Sequence, residues 1–317
     1  MKNVKRLITF NSDERFNAEE YVEKYKYERE LDGIAKSTLQ IDVTKLKVFL
    51  TYCNSIIKRR PENLTKLDFG KFFMYLANER RIAKNTEIRY YNLLVMFYKV
   101  MNYDNFEEFE TECKERKRFK KFDKKHYDYV TTQDMDLIFQ KLYNKNNYTQ
   151  DRDAVLLRTL WDTGCRVSEI LNSKLKDYDG KNGVIVITKS KNYTERRVIL
   201  ANDTKEALNY IITKNRNKND NDYLFQKLNG EQINRNAIYR VFNACVKELK
   251  AEGKLAKNRR IVLHSIRHGC CVNLLTKGVN LDEVSRYMGH NRVETTMIYA
   301  HNRERTNESL NNIKNIL

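Results

Sequence analysis

The sequence predicts a mainly α-helical chain carrying one small antiparallel β-sheet, split into two domains. Three observations lead there. Apolar residues recur at steps of three and four through most of the chain, which is the period of one helix face. One short region instead shows paired β-branched runs around a polar turn. A strongly basic stretch separates two apolar-periodic regions, and 317 residues suit two domains of roughly 100–200 each.

The first region, residues 1–113, reads as helices. Leu39, Val43, Leu46, Phe49, Leu50 and Cys53 line one face between Ser37 and Cys53. Phe69, Phe72, Phe73 and Leu76 do so from Leu67 to Asn78. Ile88, Tyr91, Leu94, Phe97 and Val100 do so from Asn85 to Met101. Weaker patterns cover Ala18–Leu31 and Phe106–Arg116, and Pro61 marks a loop between helices.

The stretch "KERKRFKKFDKKHYD" has eight Lys or Arg among its fifteen residues and reads as a linker over 114–128. Such a linker suits crossing a phosphate backbone. The second domain, 129–317, opens with a helix capped by Thr131 or Thr132 and ending near Tyr143. Helices over Asp151–Asp162 and from about Arg166 to Asn172 follow. Val184–Thr188 and Arg196–Leu200 form the hairpin, with Lys176–Tyr178 as a third strand. The remaining helices are Asp203–Lys214, Arg235–Ala251, His264–Thr276, Leu281–Met288 and Val293–Ala300.

Composition narrows the function. The formal net charge of +18 attracts polyanions, nucleic acid foremost. No apolar run approaches the roughly 20 residues of a membrane span, and no lipidation signal or signal-peptide core appears. The expected location is the cytoplasm. The six cysteines form no CxxC pair, so zinc is not expected and they read as reduced, buried apolar residues.

Basic and nucleophilic residues collect near element ends in the second domain. Arg166 in "DTGCRVSEIL" follows a Thr-Gly turn and opens a helix, where backbone N–H groups favour an anion. An arginine there is unfavourable unless it has an anionic partner. Lys189 and Lys191, two residues apart on the hairpin, face the same way. His264 and Arg267 in "LHSIRHG" share a helical face at i and i+3. His290 follows Gly289, and Tyr299 lies nine positions further on. Each alone is an ordinary structural residue; the ordered set is not.

"TGCRVSEIL", "HSIRH", "MGHNRVETTMIYAH" and the hairpin lysine resemble the tyrosine recombinases, the group of phage integrases and Xer proteins. The resemblance covers nearly the whole chain. The first domain is similar to their helical, SAM-like core-binding domain, notably in "NTEIRYYNLLVMFYKV", and the second to their catalytic domain. It implies Arg166 and Arg267 as the arginines that clamp the phosphate, His264 and His290 as the two histidine positions, and Tyr299 as the nucleophile. "ERRVIL" resembles the family's ER-x-VPL strand, with Ile199 where proline is usual. Counting back from it points to Lys191 as the lysine, with Lys189 as the alternative.

The resemblance further implies a C-shaped clamp on duplex DNA and site-specific recombination through a 3′-phosphotyrosyl link. It implies no cofactor, four protomers on two DNA sites (of this chain alone or with a related recombinase), and a C-terminal tail, 304–317, passed to a neighbour. Chemistry agrees. Free tyrosine, with a pKa near 10, needs help to attack a phosphodiester. Two arginines can stabilise the added charge, and histidines titrating near neutrality can move protons. The carboxylates Glu169, Asp282, Glu283 and Glu294 are scattered, unlike the clusters of two-metal nucleases. Competing readings are a type IB topoisomerase or telomere resolvase, and a DNA-binding regulator without activity.

Overall fold

A computed structural model of the chain describes residues 15–120, 127–143, 147–188, 195–289 and Lys314. Its contacts divide it into two compact units, Met1–Lys124 and Lys125–Leu317.

The N-terminal unit holds α1 (Ala18–Leu31), α2 (Lys36–Tyr52), α3 (Lys66–Asn78), α4 (Lys84–Met101) and α5 (Glu107–Glu115). Each expected helix is present to within a residue or so. α2 runs on through a π-turn, Cys53–Ile57, and Pro61 starts a 3-10 turn, Pro61–Asn63, as its fixed φ allows. Thr65 and Asp68 cap α3 reciprocally. The core is aromatic: Phe49, Phe69, Phe72, Phe97, Tyr98, Phe106 and Phe109 are all buried. Tyr98 and Phe106 stack at 4.9 Å, and the Tyr98 hydroxyl donates to the Pro61 carbonyl.

Both ends of the basic stretch are packed. Phe119 is 8% exposed and stacks on Tyr91 within the N-terminal core. An aromatic ring among the cations is cheaper to bury there than to leave in water. At the other end, the Asp128 N–H donates to the Arg260 carbonyl, and the Arg260 guanidinium sits over the Tyr127 ring.

The C-terminal unit holds α6 (Thr132–Tyr143), α7 (Tyr148–Thr163), α8 (Val167–Asn172), β1 (Tyr178–Asp179), β2 (Val184–Ile187), β3 (Arg196–Ile199), α9 (Asn202–Lys214), α10 (Arg235–Ala251), α11 (His264–Thr276) and α12 (Leu281–Met288). α7 starts three residues before its expected position because Asn147 caps it by accepting from the Gln150 N–H. Ala154, Val155, Leu156, Leu157 and Leu160 bury it nearly all round, and α6, α9 and α11 pack on it.

The sheet is antiparallel in the order β1-β2-β3, with Ile185 opposite Val198 and Ile187 opposite Arg196. The third strand is displaced from its expected place. Leu175–Asp177 forms a 3-10 turn because the Asp177 carboxylate accepts from the Lys174 N–H, and only Tyr178 and Asp179 pair with β2. Val293–Ala300 and the tail lie outside the described residues, Lys314 apart. All six cysteines are free and buried, as their reading as small apolar residues requires.

Candidate active site

Three elements of the C-terminal unit converge: the turn from α7 to α8, the first turn of α11 and the last turn of α12. Gly164 ends α7 with φ of 58°, a left-handed cap. A Cβ on it would also collide with the Met288 side chain of α12. Gly269 in "HSIRHG" serves a related purpose, letting α11 press against the Val130 main chain.

Arg166 is the N-cap of α8 rather than part of its first turn. Its anionic partner is within the protein. Glu169 accepts the Arg166 N–H on Oε2 at 2.8 Å and its Nη1 on Oε1 at 2.9 Å. The Arg166 side chain remains 33% exposed. Arg267, on α11, is only 4% exposed. It donates from Nη1 to the Gly164 carbonyl at 2.6 Å and from Nη2 to the Met288 carbonyl at 2.7 Å. Burial, then the charge of Arg166, lowers its pKa to about 10, so it stays charged at neutral pH.

The end of α12 is a focus for cations. Gly289 closes the helix with φ of 66°. Three successive carbonyls then accept from three arginines: Tyr287 from Arg196 Nε at 3.0 Å, Met288 from Arg267, and Gly289 from Arg166 at 3.4–3.5 Å. These oxygens are the negative end of the helix, where cations are favoured. The Tyr287 hydroxyl accepts the Ile199 N–H, tying the same turn to β3.

His264 begins α11 beside these arginines. Its residue is exposed at the surface, yet the packed surroundings partly desolvate the ring, and Arg267, Arg166 and Arg235 add repulsion, so its pKa is held down to about 4. The expectation that His264 titrates near neutrality is therefore corrected: its imidazole is neutral in the DNA-free protein. His268 meets it edge to face at 4.7 Å.

Arg166, His264 and Arg267 are thus brought together. Lys189, Lys191, His290 and Tyr299 lie outside the described residues. Two residues of the cluster, Glu169 and Arg196, carry no clear functional signal in the local sequence. By sequence Glu169 is one of several scattered carboxylates, yet it is 5% exposed between Arg166 and Arg196. Burial alone would raise its pKa, but the hydrogen bond and charge of Arg196, with the Arg166 contacts, hold it below the ordinary range. Its spacing three residues after a helix start was the available signal. Arg196 shares a strand face with buried Val198, and an inward arginine needs a partner.

Two guanidinium groups and a neutral imidazole, gathered on a helical unit of a strongly basic chain, make a site suited to a phosphodiester. The chain belongs to the phage integrase family. The profile of that family matches residues 128–306, and that of the phage integrase N-terminal SAM-like domain matches residues 21–108. By that membership it is a tyrosine site-specific recombinase, and the 3′-phosphotyrosine mechanism is general to the family.

A probable integrase/recombinase protein of Methanocaldococcus jannaschii is 44% identical over 306 residues, 96% of this chain and 92% of that one. Tyrosine recombinase XerA of Saccharolobus solfataricus is 28% identical over 85% of this chain and 84% of its own. The fold is that of the Tn1549 transposon integrase bound to transposon right-end DNA, with a TM-score of 0.67 at 16% identity, covering 93% of this chain and 99% of that one. A lambda integrase dimer on a COC′ core site also gives 0.67 at 16%, covering 93% and 80%. Among the described residues, no helix is long and apolar enough to cross a membrane.

Proposed function

We propose that this recombinase binds double-stranded DNA at specific sites in the cytoplasm and cuts it with Tyr299. The hydroxyl oxygen of Tyr299 attacks the scissile phosphorus, its proton passing to His264 directly or through a phosphate oxygen, and the bond to the 5′ oxygen breaks. The 5′ oxygen leaves with a proton from Lys191, or from Lys189 as the alternative. The 3′-phosphotyrosyl link keeps the bond energy, and attack by a second 5′-hydroxyl reverses the step, so neither ATP nor a cofactor is needed.

Arg166 and Arg267 hold the non-bridging oxygens and stabilise the charge that builds on them. His264, neutral before DNA arrives, can accept a proton or share one with a phosphate oxygen, and His290 acts at the same phosphate. The observation that carries this reading is the meeting of Arg166, Arg267 and His264 at the end of α12, one residue before His290.

Recombination needs two sites, and a tetramer is the assembly we propose, of this chain alone or, as the alternative, with a related recombinase. The relatives solved as complexes with DNA support the choice of partner. An apolar groove of about 690 Å³, lined by Met135, Phe139, Trp161, Leu274, Val284 and Tyr287, offers a seat for the tail of a second copy.

The test is cleavage of a duplex carrying a nicked suicide site. Wild-type protein should remain attached to DNA after denaturation, and Tyr299→Phe should bind DNA but form no adduct. An adduct with the Phe variant would assign the nucleophile elsewhere.

A further inference from the structure

The geometry points to Arg196 as a positioning residue for strand cleavage, one that sets Arg166 and the end of α12 without itself meeting the phosphate. This rests on the reading of Arg166 given above.

The Arg196 side chain is 9% exposed, so its charge must be answered inside the protein. Nη2 pairs with Glu169 Oε2 at 2.6 Å and lies 3.4 Å from the Cys165 sulfur. Nη1 reaches Glu169 Oε1 at 3.4 Å, and Nε donates to the Tyr287 carbonyl at 3.0 Å. One guanidinium therefore joins β3, α8 and α12. A Cβ on Gly289 would come within 2.9 Å of its Nη1, so the glycine before His290 gives Arg196 its room as well as ending the helix.

The division of Glu169 gives this arrangement its consequence. The carboxylate has two oxygens and two arginines. Arg196 holds Oε2 most closely, and Arg166 Nη1 holds Oε1. Arg166 thus gives up only part of its fork and keeps donors for an incoming anion. Without Arg196, a buried carboxylate would be left with Arg166 as its nearest cation. It would draw that guanidinium into a two-pronged pair, the geometry carboxylates and arginines favour. The charge meant for the phosphate would then be spent inside the protein. Arg196 also differs from Arg166 in access: one is buried, the other open.

A merely structural role for Arg196 would not give the pattern of suppression expected of a positioning residue. Single-turnover cleavage of the nicked suicide duplex is measured at saturating protein, beside single-site binding by gel shift and thermal melting. Arg196→Met should cleave at least about tenfold more slowly, the scale of a misplaced reacting group, while binding changes little. Arg196→Lys keeps the charge but not the fork, and should regain part of the rate.

Adding Glu169→Gln to Arg196→Met should restore rate, because the carboxylate that captures Arg166 is gone. A 5′-bridging phosphorothiolate, whose leaving group needs no proton, should leave the Arg196→Met defect in place. The proposal is overturned if Arg196→Met cleaves within about twofold of wild type, if the double variant is slower than Arg196→Met, or if the phosphorothiolate restores the rate. Should Arg196→Met lose its cooperative melt, Arg196→Lys carries the same comparison with and without Glu169→Gln. Failure of the wild-type protein to cleave would count against the recombinase reading rather than against Arg196.

Discussion

Arg267 and Met288 are joined by a hydrogen bond of 2.7 Å from guanidinium to main-chain oxygen, and the same arginine holds the Gly164 carbonyl at 2.6 Å. A residue expected to bind phosphate is therefore also a strut between α7, α11 and α12. Its replacement acts on the fold and on the reaction together.

Arg267→Ala should lower stability by about 2–4 kcal/mol, since two carbonyls lose a charged donor and a buried space opens. Arg166→Ala, with a third of its side chain already exposed, should cost less than about 1 kcal/mol. Both should reduce cleavage by at least about a hundredfold, the scale for one transition-state donor. Thermal or urea unfolding beside single-turnover cleavage separates the two effects. Equal losses of stability in the two variants would contradict the strut.

His264 links stability to pH. Its pKa lies near 6.5 in the unfolded chain and about 4 in the fold. Between those values the unfolded chain takes up a proton that the fold refuses. The contribution is therefore fully present above about pH 6.5 and is lost as pH falls towards 4. Urea unfolding of wild type and His264→Gln across this window should show a shallower decline for the variant. Identical slopes would mean that the ring is protonated in the fold.

The two hairpin lysines can be told apart chemically. Lys191→Ala should slow cleavage more than Lys189→Ala, and a 5′-bridging phosphorothiolate should rescue the variant lacking the proton donor. Rescue confined to Lys189→Ala would reverse the assignment.

Deletion of residues 304–317 should leave folding and single-site binding intact while assembly on paired sites fails. Leu310, Ile313 and Ile316–Leu317 fall at near-helical spacing, and each fully buried apolar side chain contributes roughly 1.5–3 kcal/mol. A short helix of this kind needs a surface to form on. Recombination at the full-length rate by the truncated protein would remove the tail from the mechanism.

The sequence by itself determined most of the described helices, the antiparallel pairing of β2 with β3, and three members of the cluster, Arg166, His264 and Arg267. Apolar period, caps and the β-branched runs are local signals, and they put α1, α10, α11 and α12 at their observed bounds. His264 and Arg267 shared a face because they are one helical turn apart. Where local side chains competed, bounds moved, as when Asn147 drew α7 back and Asp177 turned a strand residue into a 3-10 turn.

Only the tertiary structure decided how the charges are answered. Arg166 meets Gly289 across 123 residues, Arg267 meets Gly164 across 103, and Arg196 meets Tyr287 across 91 and Glu169 across 27. A buried charge must find a partner, but nothing local says which one is near. That is why Glu169 read as one scattered carboxylate, Arg196 as one strand residue, and His264 as a titrating histidine, until packing set two arginines on one carboxylate and three around one imidazole.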